Sequence, residues 1–450
     1  MVLMSWPTEF AFSETGDPVG AIDRYVEPYA ASNNFSGVVL IARHGKAVYE
    51  QAYGFADRDA ERRNIPQTQF HLASMSMQFT AAAVMRLVDQ GKLKLDQTVS
   101  KFVPGLPNGD KITIRELLEQ TSGLPDVNGL PEYSDILNRH QTAESLVSYI
   151  IDKPPRFEPG SASQGEEHSA FNVLALIVEK VTQQPFATAV RRLVFAAAKM
   201  HHSGIDEDGP LSNAAIGYTP VGVRDLEKAV QIHWSAKTGN ASAYATADDL
   251  LEWRNAFFAG SLLSARGRQV MLDYSHSRAG YGWFKGVSSR LAVPVFHMNG
   301  RAPGFASFIM EVPSEELTVI VLSNTYVSAV SDMGFDLAAL MLGKPYASVL
   351  LNAAAPAAAD VAGIANSYRF GADFFQANAT LQLEVHGLDA SLHWPSGETT
   401  FLIPVSKDHF VDRSYWEPVS LQRSADLQVE TLMYDRFIGR RLDTATSVPQ

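Results

Sequence analysis

Ser74 is followed three positions later by Met77, within the run HLASMSMQFTAAAV at residues 71–84. Positions three apart on a helix share a face. A lysine at 77 would therefore bring an amine beside the serine hydroxyl and activate a poor nucleophile. Methionine cannot do this, because it has no titrating proton and packs as a flexible hydrophobe. A second chemically capable group is Glu166, Glu167 and His168, two carboxylates and an imidazole in succession. A buried carboxylate with a raised pKa, or a neutral imidazole, can accept a proton near neutral pH. His297-Met298-Asn299-Gly300 adds a further imidazole close to a glycine. Judged only by their neighbours, Ser74 also reads as a helix N-cap and Glu166–His168 as a solvated loop.

Other chemistries are excluded or weakly supported. The chain has no cysteine, which rules out disulfides, thiolate zinc sites and cysteine nucleophiles. A metal site would need Glu166, His168 and His297 to converge without any HExxH-like spacing, so neither a metal nor a cofactor is expected. His201-His202 read as surface residues at a helix end. The formal charge of −12, without clustered Lys or Arg, argues against a nucleic-acid partner. No apolar run is long enough for a membrane span. The N-terminal MVLMSWPTEFAFSETGD lacks a basic n-region and an apolar h-region. No signal peptide is visible, which fits a cytoplasmic protein or one whose leader has been removed.

The elements that must position these residues follow from patterning. A chain of 450 residues exceeds one ordinary core, and 46% hydrophobic with 19% charged residues is the balance of a folded protein. Residues 36–53 read as a β-hairpin turning at Arg43-His44-Gly45, and GFASFIMEV (304–312) with LTVIVLSN (317–324) as a second strand pair. Between them the pattern is mostly helical, including Ser76 to Gln90 with its stripe of Phe79, Ala83, Val84, Leu87 and Val88. The expected architecture is α/β (α+β): an antiparallel sheet built from both flanks, packed on a large helical insertion. The Ala-rich stretch 351–357 reads as a linker, and 358–450, with short alternating strands, as a small β-barrel or sandwich.

The segment FHLASMSMQFTAAAVMRLVDQGKLKLDQTVSKFVPGLP closely resembles the active-serine segment of penicillin-binding-protein and class C β-lactamase-like serine hydrolases. ITIRELLEQTSGLPD (112–126) resembles that family's LLxHTSGL segment, with Gln120 in place of its histidine, and ASAYATADDLLEW (241–253) resembles its STAxDLxxW helix start. NGRAPGFASF (299–308) resembles the third-motif strand. The likeness covers about residues 18–345, implying a serine β-lactamase-like domain at 18–350, and the tail resembles a lipocalin-like domain.

The resemblance assigns roles. Ser74 takes the nucleophile's place and Met77 that of the lysine base. FNVLALIVEKVT (171–182) matches the helix after the family's YxN triplet. Counting back from Phe171 puts Glu166 at the tyrosine position and His168 at the third, while counting forward from Gly160 puts Gly165 at the tyrosine position. Met298 stands first in the third motif, with His297 before it and Gly300 after; the literal Lys237-Thr238-Gly239 lies in the wrong place for that motif. The backbone N–H groups of Ser74 and of the strand near Ala306 would form an oxyanion hole. The implied activity is hydrolysis or acyl transfer on esters, amides or D-amino-acid peptides through Ser74, with Glu166 and His168 as substitute proton acceptors. The alternative is a catalytically inactive homologue, natural or engineered, that binds a small ligand in the retained cleft. Neither substrate nor oligomeric state follows from the sequence.

Overall fold

The computed structural model describes residues 10–11, 18–161, 167–207, 209, 211–260, 262–273, 279–327, 329–347, 364–387, 389–424, 426 and 428–442. Helices used below are α1 (Pro18–Ala31), α2 (Met77–Asp89), α3 (His168–Thr182) and α4 (Ala329–Met341). The main sheet comprises β1 (Gly37–Arg43), β2 (Lys46–Tyr53), β3 (Ala279–Gly280), β4 (Trp283–Val287), β5 (Pro294–Ala302), β6 (Phe305–Val312) and β7 (Leu317–Ser323). Their order is β3-β4-β5-β6-β7-β1-β2, and every pairing is antiparallel. Strands from both flanks thus close one sheet around the helical insertion. The β1–β2 hairpin turns where expected, because His44 and Gly45 take the positive φ values of 52° and 72° that a two-residue hairpin turn needs.

The central strands are buried on both faces, which explains their unbroken apolar runs. Alternation divides their side chains between two cores. Val38, Leu40, Ile309, Ile320 and Leu322 join the cluster that includes α2 and α3 residues Phe79, Val84, Phe171 and Leu174. Val39, Ile41, Phe308, Val319 and Val321 join the cluster containing Ile22 and Val26 of α1 and Met333 and Leu337 of α4. The sheet is a partition: the helical insertion lies on one side and the terminal helices on the other.

The tail is a closed barrel of eight strands from Asn366–Arg369 to Phe437–Arg441. It has its own core, including Leu381, Leu392, Trp394, Leu432 and Tyr434. The expected linker at 351–357 lies outside the described residues. Arg413 fastens the barrel to the larger domain. Its buried guanidinium donates to Asn34 Oδ1 at 2.9 Å and to the carbonyls of Asn33, Val221, Gly222 and Asp225 at 2.8–3.3 Å. Among the described residues no helix is long and apolar enough to cross a membrane.

Candidate active site

Ser74 lies in the 3-10 turn Ala73–Ser76, which leads directly into α2. Ala73 before it has φ +50°, a conformation that a residue with a Cβ enters at a steric cost. The turn is held there by its neighbours. Leu72 donates its N–H to the Ala243 carbonyl at 2.8 Å, Ala243 N–H donates to Ser76 Oγ at 2.9 Å, and Ser307 Oγ donates to the Leu72 carbonyl at 2.7 Å. Strand β5 supports it from below. A Cβ on Gly300 would lie 2.1 Å from Leu72 O and 3.0 Å from Met75 N, so only glycine allows this approach. The hydroxyl therefore sits on a fixed turn between the sheet and the helical insertion.

Met77 is fully buried in the apolar cluster with Met75, Met298 and Trp283. Gly282 closes over it, since a Cβ there would meet Gln78 N at 2.5 Å and Met77 C at 2.8 Å. The side chain is core in its packing.

The Glu-Glu-His stretch divides into different roles. Gly165 and Glu166 lie outside the described residues. Glu167 is buried and structural: its carboxylate accepts from Ser122 N (3.0 Å), Ser122 Oγ (2.7 Å) and Gly123 N (2.9 Å). Gln120 Oε1 accepts the Glu167 N–H at 3.0 Å. Burial raises the Glu167 pKa, and those hydrogen bonds only partly offset it. His168 opens α3, and its Nδ1 lies 2.9 Å from Asp126 Oδ2 with both side chains partly exposed. Burial pushes the Asp126 carboxyl upward, but His168, the Asn128 N–H and Arg156 outweigh it and leave it below the usual range.

The third-motif residues separate by strand alternation. Gly300 faces the serine turn and Met298 the same apolar cluster as Met77. His297 points to the other side of the sheet, against Phe284, Phe308 and Phe335 at ring distances of 5.3–5.9 Å. Burial drives its pKa down to about 4. It lines a cavity of about 640 Å³ between the sheet and the barrel, with Arg290, Asn299, Asp332, Tyr415 and Glu417. The structure thus does not bring His297 to Ser74 or to His168. Ala306 is also set apart from an open edge: β6 pairs it with Arg301 on one side and Ser323 on the other, so its N–H faces a strand in either direction. Backbone near the serine turn with an open edge belongs to β5 instead. Its pairing with β4 ends at His297, leaving residues 298–302 without a strand partner on that side among the described residues.

Two groups carry no role in the sequence reading, where Lys237 enters only within the literal Lys237-Thr238-Gly239 set aside above. His71, three residues before Ser74, bonds Asp206 Oδ2 through Nε2 at 2.8 Å and stacks on Trp234 at 3.7 Å. These residues and Phe305 line a second cavity of about 580 Å³. Lys237 is buried and donates to the Tyr133 hydroxyl. Nothing local to either sequence marks these pairs, because their partners come from more than 100 positions away. His201 and His202 are exposed at the surface, as read from the sequence.

A serine on a strained turn at the start of a helix, backed by an antiparallel sheet and a helical insertion, defines a serine-hydrolase-like protein of the β-lactamase and transpeptidase architecture. Residues 22–341 match the Beta-lactamase family, and the chain belongs to it. PbpX of Bacillus subtilis (strain 168) is 28% identical over 314 residues, 68% of this chain and 76% of that protein. The octameric penicillin-binding protein homologue from Pyrococcus abyssi superposes with a TM-score of 0.66 at 20% identity, covering 94% of this chain and 99% of that one. The D-amino acid amidase from Ochrobactrum anthropi SV3, complexed with L-phenylalanine amide, gives 0.63 at 19% identity, covering 73% and 99%. At these identities the two structures speak to the fold.

Proposed function

We propose that this protein transfers or hydrolyses acyl groups of small esters, amides or D-amino-acid peptides through Ser74. The observation that carries the reading is the serine turn: Ala73 at φ +50° and Gly300 pressed beneath it hold the hydroxyl on a fixed bend beside an open strand edge. Acyl transfer needs a positioned nucleophile and backbone donors for the oxyanion. The amide and D-amino-acid side of the substrate class is carried by the motif resemblance around Ser74. His168, bonded to Asp126, is the candidate proton acceptor of the Glu166-Glu167-His168 run that lies among the described residues.

A second reading, a ligand-binding homologue without turnover, is favoured by the complete burial of Met77 in the apolar core. The two separate on one experiment. Wild type and Ser74→Ala are incubated with p-nitrophenyl esters and D-amino-acid amides, and turnover and intact mass are followed. Ester turnover with a mass increase on the wild type alone is expected. A wild type as inactive as Ser74→Ala, yet stabilised thermally by the same compounds, would leave the binding reading in its place.

A further inference from the structure

The tripeptide Lys237-Thr238-Gly239 is not on a sheet strand; Lys237 ends the 3-10 helix Trp234–Lys237 and the chain then turns. Its surroundings link it to both helices of the site. Thr80 Oγ1 of α2 donates to the Gly239 carbonyl at 2.6 Å, and Asn172 Nδ2 of α3 donates to the Thr238 carbonyl at 2.7 Å. Four residues past Gly239, Ala243 holds Leu72 and Ser76 on either side of Ser74. The segment 237–243 therefore runs beside the opening turns of the helix that Ser74 precedes and of the helix that His168 begins.

Lys237 is 8% exposed, its ammonium donates to the Tyr133 hydroxyl, and it lies 4.8 Å from that ring's centroid. Asp126 acts electrostatically on both members of the pair and is itself bonded to His168. A buried ammonium whose side-chain partner among the described residues is a neutral phenol is only partly compensated, because a buried charge is costly unless it is paired with an opposite one.

We propose that Lys237 and Tyr133 are the proton-handling pair of Ser74, supplying from a neighbouring segment what Met77 cannot supply from the helix. This rests on the acyl-transfer reading above. The neutral Lys237 amine accepts the Tyr133 phenolic proton as the phenol oxygen takes the proton of Ser74 Oγ. Oγ bonds to the substrate carbonyl carbon, and the carbonyl π pair moves onto oxygen. That pair returns as the C–O or C–N bond to the leaving group breaks, and the leaving group departs with the proton held by the pair. Water then repeats the sequence in place of Ser74, releasing the acid and restoring the hydroxyl.

The electrostatics fit this assignment. Burial lowers the Lys237 pKa to about 8, with Asp126 pulling it back up. Burial, then Asp126 and Tyr326, raise the Tyr133 phenol, which keeps it protonated and able to relay. The charged or titratable groups facing the pair among the described residues are Asp126, His168 through Asp126, and Tyr326. Because the amine must be neutral to accept, the rate should rise with pH until about pH 8 and then level.

The test is the rate of covalent labelling of the full chain by a fluorophosphonate, mapped to Ser74 by peptide mass, from pH 6 to 10. Wild type, Lys237→Met, Lys237→Arg and Tyr133→Phe are compared, with a thermal melt of each. Expected is an inflection near pH 8 for wild type and, in each variant, a plateau lower by about 10²-fold or more with the inflection gone. Lys237→Arg keeps a charge but cannot deprotonate, whereas Lys237→Met and Tyr133→Phe place apolar groups in a buried site and should melt like wild type. Labelling of Ser74 with unchanged rate and inflection in variants that melt normally overturns the pair's role. A wild type that is not labelled at Ser74 at any pH overturns the acyl-transfer reading, and the pair's role falls with it.

Discussion

Met77 is fully buried, so any polar side chain at that position would have to find its partners inside the core. Buried polar groups are ordinarily hydrogen-bonded. Yet Asn172 Oδ1, both ends of the Asn240 amide and Ser242 Oγ are buried without a hydrogen-bond partner among the described residues. Residues 240–242 lie between Gly239, bonded to Thr80, and Ala243, bonded to Ser76, and so run beside the helical turn that carries Met77. A lysine at 77 would find acceptors there. Breaking or omitting the partner of a buried charge usually costs about 3–5 kcal/mol. Met77→Lys is expected to cost less than about 2 kcal/mol in urea unfolding at pH 7, and to raise the rate of Ser74 labelling by at least about tenfold. A full cost of about 3–5 kcal/mol without any gain in labelling would show that these polar atoms do not serve position 77.

Between elements, the contact that matters is the serine turn on β5. A methyl at 300 would overlap the Leu72 carbonyl at 2.1 Å, and Ser307 Oγ at 2.8 Å leaves no sideways relief. Gly300→Ala must therefore lift the turn or displace the strand. A misplacement of about 1 Å near reacting groups can cost about 10²-fold in rate. We expect Ser74 labelling by the fluorophosphonate to fall by at least that factor while far-UV circular dichroism stays near that of wild type; unchanged labelling would mean that the turn tolerates separation from the sheet. Much of this arrangement was legible in the sequence. The two strand pairs and the helix following Ser74 declared themselves through local periodicity and turn signals, and the glycine of the third motif through the family resemblance. His297 stands beside Met298 in the sequence, but once Gly300 faces the turn, the two-residue period of a strand sends 297 to the opposite face. The Lys237–Tyr133 and His71–Asp206 pairs depend on loops meeting in space, which no local spacing encodes.

At the scale of the whole molecule, the barrel packs apolar residues such as Trp416 against Tyr29 of the larger domain, and two polar groups of different kinds flank that packing. Arg413 is anchored by carbonyls and an amide oxygen and should hold at any ordinary pH, whereas Glu417 introduces a titratable group at the same seam. It lies between the barrel strands His409–Asp412 and Pro418–Arg423 and lines the inter-domain cavity opposite Arg290, His297 and Asp332. Burial raises its pKa to about 7 from a reference of 4.5, followed by the charges of Asp435, Asp332 and Asp412, with Arg290 opposing them. Between those two values the folded state holds a proton that the unfolded chain has released, so stability falls as pH rises from about 4.5 to about 7 and the loss is complete above that. Glu417→Gln removes this titration and keeps the shape. Discounted for partial exposure, the gain is about 1–2 kcal/mol at pH 8, a rise of about 1–2 degrees in the thermal midpoint for a chain of this length. At pH 4.5, where the native glutamate is already neutral, the two proteins should melt together. A variant whose midpoint follows wild type at both pH values would mean that water or rearrangement at the seam already solvates the charge, and that the barrel is docked independently of it.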